Sequence, residues 1–197
     1  LYIMALKMNM VPKEKREGLL NRLVELIREN GGCMDTGFMS VPYILDVLGE
    51  NGRKDEAYKL LYQNHCPSWL YEVERGATTM WESWNAIKPD GNKDGCSFNH
   101  YAFGCVGNWM YKNMLGIQNA GVGYDKVVIE PDVASGLAWV RGHYDSVHGR
   151  IAVEWEKTEE GVSVRVEIPV NVTASVRLCD GEERVVSSGC YEWKVRI

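Results

Sequence analysis

A helical segment followed by an antiparallel β-sandwich is the fold class this sequence predicts. Two observations predict it: apolar residues recur at helical spacing up to about residue 121, and beyond it their period switches to two. The composition agrees. The 197 residues are 45% hydrophobic and 25% charged, with 20 Gly and 6 Pro, which excludes disordered, collagen-like and disulfide-dense miniprotein classes. No apolar run approaches the ~18 residues of a membrane span, so none is expected. The net charge is −5 with no Lys/Arg block, which argues against nucleic acid or an anionic membrane as partner.

The elements follow in order. Leu1-Tyr2-Ile3-Met4-Ala5-Leu6 reads as the middle of an apolar helix and suggests a piece of a longer chain. Pro12 suits the first turn of the next helix, whose face is lined by Leu19, Leu20, Leu23, Val24, Leu26 and Ile27 and which Gly31-Gly32 ends. A further helix fits Val41 to Leu48, stopped by Gly49, and another fits Arg53 to Asn64, ended by Pro67. A last one fits Asn99 to Leu115, capped by Ser97 or Asn99. Its Gly104 and Gly107 would permit close approach of another backbone. Strands are then expected at Ile151–Trp155, Val162–Ile168, Val172–Leu178 and Tyr191–Ile197, with Asp180-Gly181 as a hairpin turn. The domain boundaries read as 1–121 and 122–197. The six Cys form no CxxC pair and read as reduced thiols.

Chemistry concentrates between Tyr62 and Tyr111, which hold ten of the chain's 20 aromatic residues. Trp69, Trp81 and Trp84 sit in Gly- and Pro-containing sequence of the kind that lies at a surface, where indoles suit the apolar face of a sugar. The alternative is a loop folded over its own aromatic core. Glu82 stands between Trp81 and Trp84, and a poorly solvated carboxylate suits proton transfer. Glu72 and Glu74 read as solvated. His100 falls at an expected helix start, which favours a neutral imidazole able to hydrogen-bond a ligand; the alternative is a capping or core histidine. His65, His143 and His148 make no metal-ligand spacing, and no GxSxG, P-loop or GxGxxG pattern is present.

Thr36-Gly37-Phe38, Pro42-Tyr43, Pro67-Ser68-Trp69-Leu70-Tyr71, Gly76 to Trp84 and Ser97 to Gly104 together resemble the C-terminal part of a bacterial α-L-rhamnosidase of glycoside hydrolase family 78. Gly123-Tyr124, Ile129-Glu130-Pro131 and Tyr144-Asp145-Ser146 resemble that family's C-terminal sandwich. The resemblance implies an incomplete (α/α)6 barrel, with only its C-terminal helices present, followed by the antiparallel β-sandwich. It implies an inverting hydrolase that releases terminal α-L-rhamnose from a glycan or glycoside, with no metal and no organic cofactor. Glu82 matches the general base and His100 a rhamnose-binding histidine, while Trp81 and Trp84 flank the sugar site. The general acid would lie upstream of Leu1, in an N-terminal part of the same protein, so this segment alone is expected to be inactive. With most of the ring absent, Leu19, Leu23, Ile27, Leu60 and Leu61 are expected to leave an open apolar face. Ser83 stands where the family often has Arg, and Ser40 where it often has Gly. The compartment stays open between bacterial cytoplasm and periplasm. A carbohydrate-binding module and a barrel hydrolase with another sugar preference are the competing readings.

Overall fold

A computed structural model describes residues 1–196. Ile197, expected inward on the last strand, lies outside the described residues. The chain divides into two compact units, Leu1–Val106 and Gly107–Ile197.

The first unit is helical. Helix α1 (Tyr2–Lys7) packs on α2 (Lys13–Glu29) and on α3 (Val41–Glu50), and α3 packs on α4 (Lys54–Tyr62). Leu20, Leu23, Val24 and Ile27 bury one stripe of α2. Its end follows the expected chemistry: Gly31 and Gly32 take left-handed backbone, and the Gly32 N–H bonds to the Ile27 carbonyl at 2.8 Å. In α3, Gly49 does not stop the helix, which runs to Glu50 before the left-handed Gly52. A helical glycine costs about 1 kcal/mol. Burying Val47 and Leu48 offsets that, at about 1.5–3 kcal/mol for each side chain. The expected open apolar face is absent. Leu23, Ile27, Leu60 and Leu61 are buried within the unit, and only Leu19 is half-exposed.

Two helical readings need correction. A helix absent from the sequence reading, α5 (Trp69–Glu74), follows Pro67; the Ser68 hydroxyl caps it by accepting the Tyr71 N–H at 3.1 Å. The expected single helix from Asn99 to Leu115 is instead a 3-10 turn (Ala102–Gly104), a short helix α6 (Cys105–Trp109) and a π turn (Met110–Leu115). Ser97 caps no helix. Its hydroxyl accepts the Asn99 N–H in a local turn that holds the chain out of helix. No backbone approaches Gly104 or Gly107: an added Cβ at Gly104 would meet only the Met80 side chain, at 3.6 Å, and one at Gly107 would meet nothing.

The second unit carries two four-stranded sheets. One has β1 (Ile117–Asn119), β2 (Lys126–Ile129), β6 (Thr173–Arg177) and β7 (Glu183–Val186) in the order β1-β2-β6-β7. The other has β3 (Trp139–Ser146), β4 (Gly149–Thr158), β5 (Gly161–Ile168) and β8 (Gly189–Val195) in chain order. The first strand therefore begins upstream of residue 121. Ile117, Val127, Ile129, Ala174 and Val176 from one sheet share a core with Ile151, Val153, Trp155, Val164 and Val166 from the other, which makes a sandwich. The alternation read from the sequence is the inward-outward alternation of these strands. Asp180-Gly181 turns the β6–β7 hairpin, with Gly181 in left-handed backbone. Among the described residues every pairing is antiparallel except β2–β6, which is parallel. Strands β3 to β5 of the other sheet intervene between these two, so no tight turn dictates their direction. All six cysteines are free. Among the described residues no helix is long and apolar enough to cross a membrane.

Candidate active site

Helix α5 delivers the chain to the candidate site. At its end, Gly76 takes left-handed backbone and the Ala77 N–H returns to the Glu72 carbonyl at 3.0 Å. The following residues run beside a second segment and bond to it. The Glu82 N–H donates to the Ser97 carbonyl at 2.9 Å, the His100 N–H donates to the Met80 carbonyl at 2.8 Å, and the Thr79 hydroxyl donates to the Phe98 carbonyl. Glu82 and His100, 18 positions apart in sequence, are thus presented from one short backbone ladder. Between these segments the chain makes its own small hairpin, with the Tyr71 hydroxyl holding the Ile87 carbonyl at 2.7 Å and Lys88 paired to Asp94 at 2.8 Å.

Glu82 is half-buried, and its Oε2 accepts the Ser97 N–H at 2.7 Å. One carboxylate oxygen is thereby fixed, and the other is available to a water. His100 Nδ1 accepts the Ala102 N–H at 3.3 Å. A ring nitrogen that accepts carries no proton, so the imidazole is the Nε2–H tautomer, with that donor free for a ligand. The ring is clamped between Phe38 and Tyr101, with centroids 5.1 and 5.0 Å away and both planes tilted by 19°. Phe38 is half-exposed and Tyr101 is 87% exposed, so the clamp stands at the surface of the unit. A fixed carboxylate beside an oriented neutral donor can take a proton from water and hold a hydroxyl.

The indoles behave otherwise than expected. Trp81 is 3% and Trp84 9% exposed, and Trp69 is equally buried, so none offers an open face to a sugar. Trp84 stacks on Phe103 at 3.7 Å and meets Trp69 edge-on, while Trp81 meets Phe98 edge-on at 5.4 Å. The Trp69 Nε1–H bonds to the Phe103 carbonyl at 2.9 Å. These rings form the aromatic core on which the ladder rests. Burying an indole gains more than leaving it in water, and α5 and the ladder provide the packing partners. Ser83 donates to Asn85 at 2.6 Å and stays beside the ladder, and Ser40 is buried.

Sequence reasoning missed Glu72. It is not solvated: its side chain is 1% exposed. Its Oε2 accepts the Trp81 N–H at 3.4 Å, and its Oε1 has no partner. Burial pushes its carboxyl up to about 7, and the Trp81 N–H pulls in the opposite direction. A helical reading of 69–74 would have placed Glu72 three residues after Trp69, on the inner face. Two cavities of this unit lie elsewhere. One of about 350 Å³ is walled by Leu23, Ile27 and Ile44, and one of about 190 Å³ by Thr78, Thr79, Trp81 and Lys93. Neither is lined by Glu82 or His100. Among the described residues, no three His, Cys, Asp or Glu side chains gather in a way that could hold a metal ion.

The helical unit thus presents a carboxylate and a histidine from one ladder and is followed in the chain by a β-sandwich, and comparison with known proteins shows which family carries this pair of units. Residues 1–114 match the bacterial alpha-L-rhamnosidase 6 hairpin glycosidase domain, and residues 116–191 match the bacterial alpha-L-rhamnosidase C-terminal domain. The chain belongs to the bacterial α-L-rhamnosidase family. It is 40% identical over 188 residues to an alpha-L-rhamnosidase of Streptomyces avermitilis, a match covering 93% of this chain and 18% of that protein. A crystal structure of the Streptomyces avermitilis alpha-L-rhamnosidase complexed with L-rhamnose superposes with a TM-score of 0.91 at 37% identity, over 97% of this chain and 21% of that one. The alpha-L-rhamnosidase of Aspergillus terreus gives 0.91 at 30% identity, over 98% and 23%. The chain thus spans about a fifth of the length of these relatives.

Proposed function

We propose that this chain is the C-terminal part of an inverting α-L-rhamnosidase and that Glu82 is its general base. Its helices would be the closing members of an (α/α)6 barrel, with the general acid on the portion that the relatives carry outside the matched region. In this reading the Glu82 oxygen left free by Ser97 deprotonates a water. That water attacks the anomeric carbon from the face opposite the leaving group. The acid protonates the departing oxygen, about 6.5–9.5 Å from the base carboxylate. His100 would donate Nε2–H to a rhamnose hydroxyl, and Trp81 and Trp84 would support the base from below rather than wall the sugar. The observation that carries the reading is the shared ladder, which presents a fixed carboxylate and an oriented neutral histidine together. A carbohydrate-binding module would need indole faces open to a glycan, and the indoles flanking Glu82 are packed away.

The experiment is release of 4-nitrophenol from 4-nitrophenyl α-L-rhamnoside by the full-length enzyme. Glu82→Gln keeps the shape and removes the base, so turnover is expected to fall by about 10²–10⁴. Azide is expected to restore part of the activity of Glu82→Gly. His100→Ala in the same enzyme is expected to weaken rhamnose binding, by about 0.5–1.5 kcal/mol in calorimetry. Turnover near wild type in Glu82→Gln would remove the base assignment.

A further inference from the structure

Glu72 is a residue the proposed reaction does not use, yet it is among the most buried side chains of the molecule. Its backbone and its side chain both bind the segment that leads to Glu82. The Glu72 carbonyl accepts the Ala77 N–H at 3.0 Å, at the start of that segment. The Glu72 carboxyl accepts the Trp81 N–H at 3.4 Å, at its end. The next residue is Glu82, whose own N–H starts the ladder with Ser97. One residue therefore spans the connection between α5 and the ladder. Nothing in the aromatic core duplicates this tie, because the indoles hold the ladder through ring contacts and not through the Trp81 peptide.

We propose that Glu72 is a positioning residue for Glu82: its buried carboxyl holds the Trp81 peptide and so fixes where the neighbouring carboxylate points. The inference rests on the reading of Glu82 as the base. The tie needs only an acceptor oxygen at this place, which the neutral acid and the carboxylate both supply; burial, with Oε1 left without a partner, is what disfavours the charge. No Lys or Arg is among the partners of Glu72 in the described residues. The ionisable group that feels it is Cys66. Burial pushes the Cys66 thiol up, and Cys33 and Glu72 add to the effect, so no nearby group compensates a charge on Glu72.

The test uses the full-length enzyme with Glu72→Met and Glu72→Gln, measured by kcat and KM across pH and by hydrogen exchange over residues 77–84. Methionine fills the space and removes the acceptor. It is expected to lower kcat about tenfold with KM within about twofold, because the base moves while the sugar contacts stay. Exchange over 77–84 is expected to rise. Glutamine keeps a side-chain oxygen that can accept the Trp81 N–H, so it is expected to restore kcat to within about threefold of wild type and to return exchange over 77–84 towards wild type. Wild-type kcat in Glu72→Met at every pH, or a loss confined to thermal stability, would overturn the proposal. So would unchanged exchange over 77–84. Glu82→Gln is run in parallel. If it retains turnover, the base reading fails by itself, and exchange in Glu72→Met decides whether the tie exists.

Discussion

Burying a carboxyl costs stability only where it would otherwise be charged, which makes Glu72 a pH-dependent term in folding. Burial raises its pKa from the ordinary 4.5 to about 7, against a smaller opposing effect of the Trp81 N–H. Folded, the group is protonated between those values; unfolded, it is ionised. The contribution is therefore complete below about pH 4.5 and is lost as pH rises through about 7, with a size on the order of 3 kcal/mol. Carboxylates held low by cations, such as Asp180 beside Arg184, act in the opposite sense at acid pH. The clean readout is thus the difference between wild type and Glu72→Gln in thermal unfolding of the 197-residue chain. Wild type is expected to lose stability relative to the variant from about pH 5 to about pH 8. Parallel curves would show that Glu72 has no raised proton affinity. At this scale Glu82 and His100 could be singled out in the sequence as candidates because their neighbours are specific, and their roles stand as the proposal above. Glu72 could not, because a glutamate in a short helix reads as solvated until Trp69 is known to point inward.

The local elements follow two different rules of legibility. Strands β4, β5 and β6 carry period two in their own residues, and α2 carries its stripe at i, i+3, i+4 and i+7, so each could be read alone. The ladder of Met80–Glu82 with Ser97–His100 could not, because its partners are separated by a small hairpin and neither segment has a strand pattern. The helix expected from Asn99 to Leu115 failed for a related reason. Apolar spacing is nearly the same for α, 3-10 and π turns over so few residues. The π turn ends at Gly116, which takes a φ of 87° and lies so close to Pro131 that an added Cβ would sit 2.3 Å from its nitrogen. Its carbonyl also accepts the Glu130 N–H at 2.9 Å. Gly116→Ala is therefore expected to cost about 1–2 kcal/mol for left-handed backbone and about 1–3 kcal/mol more for the forced shift. Denaturant unfolding of the same chain measures it. A change below about 0.5 kcal/mol would mean that the close approach to Pro131 is relieved in solution.

For the whole molecule, the two-part architecture follows from the change of apolar period, and the family follows from motifs spread over both parts. Catalytic competence is a different property, because inversion needs two carboxylates on opposite faces of one sugar. In the proposed mechanism the ladder supplies one. Several other carboxylates of the first unit are held elsewhere. Glu56 is buried between Arg28 and Lys59, Asp94 pairs with Lys88, Glu74 holds Asn64, and Glu72 is enclosed without access to a ligand. The relatives that carry the activity in their names are about five times longer than the matched region. The 197-residue chain by itself is therefore expected to release no rhamnose from an alkyl α-L-rhamnoside. Without an acid the alcohol would depart as a bare alkoxide, which removes at least about 10²-fold of rate even if the sugar binds. The same unit should nevertheless stay monodisperse, because the apolar stripes of α2 and α4 are already buried within it. Size-exclusion chromatography followed by the rhamnoside assay on the monomer peak examines both statements. Turnover within about tenfold of the full-length enzyme would place a working acid inside these residues and overturn the assignment of the acid to the rest of the protein.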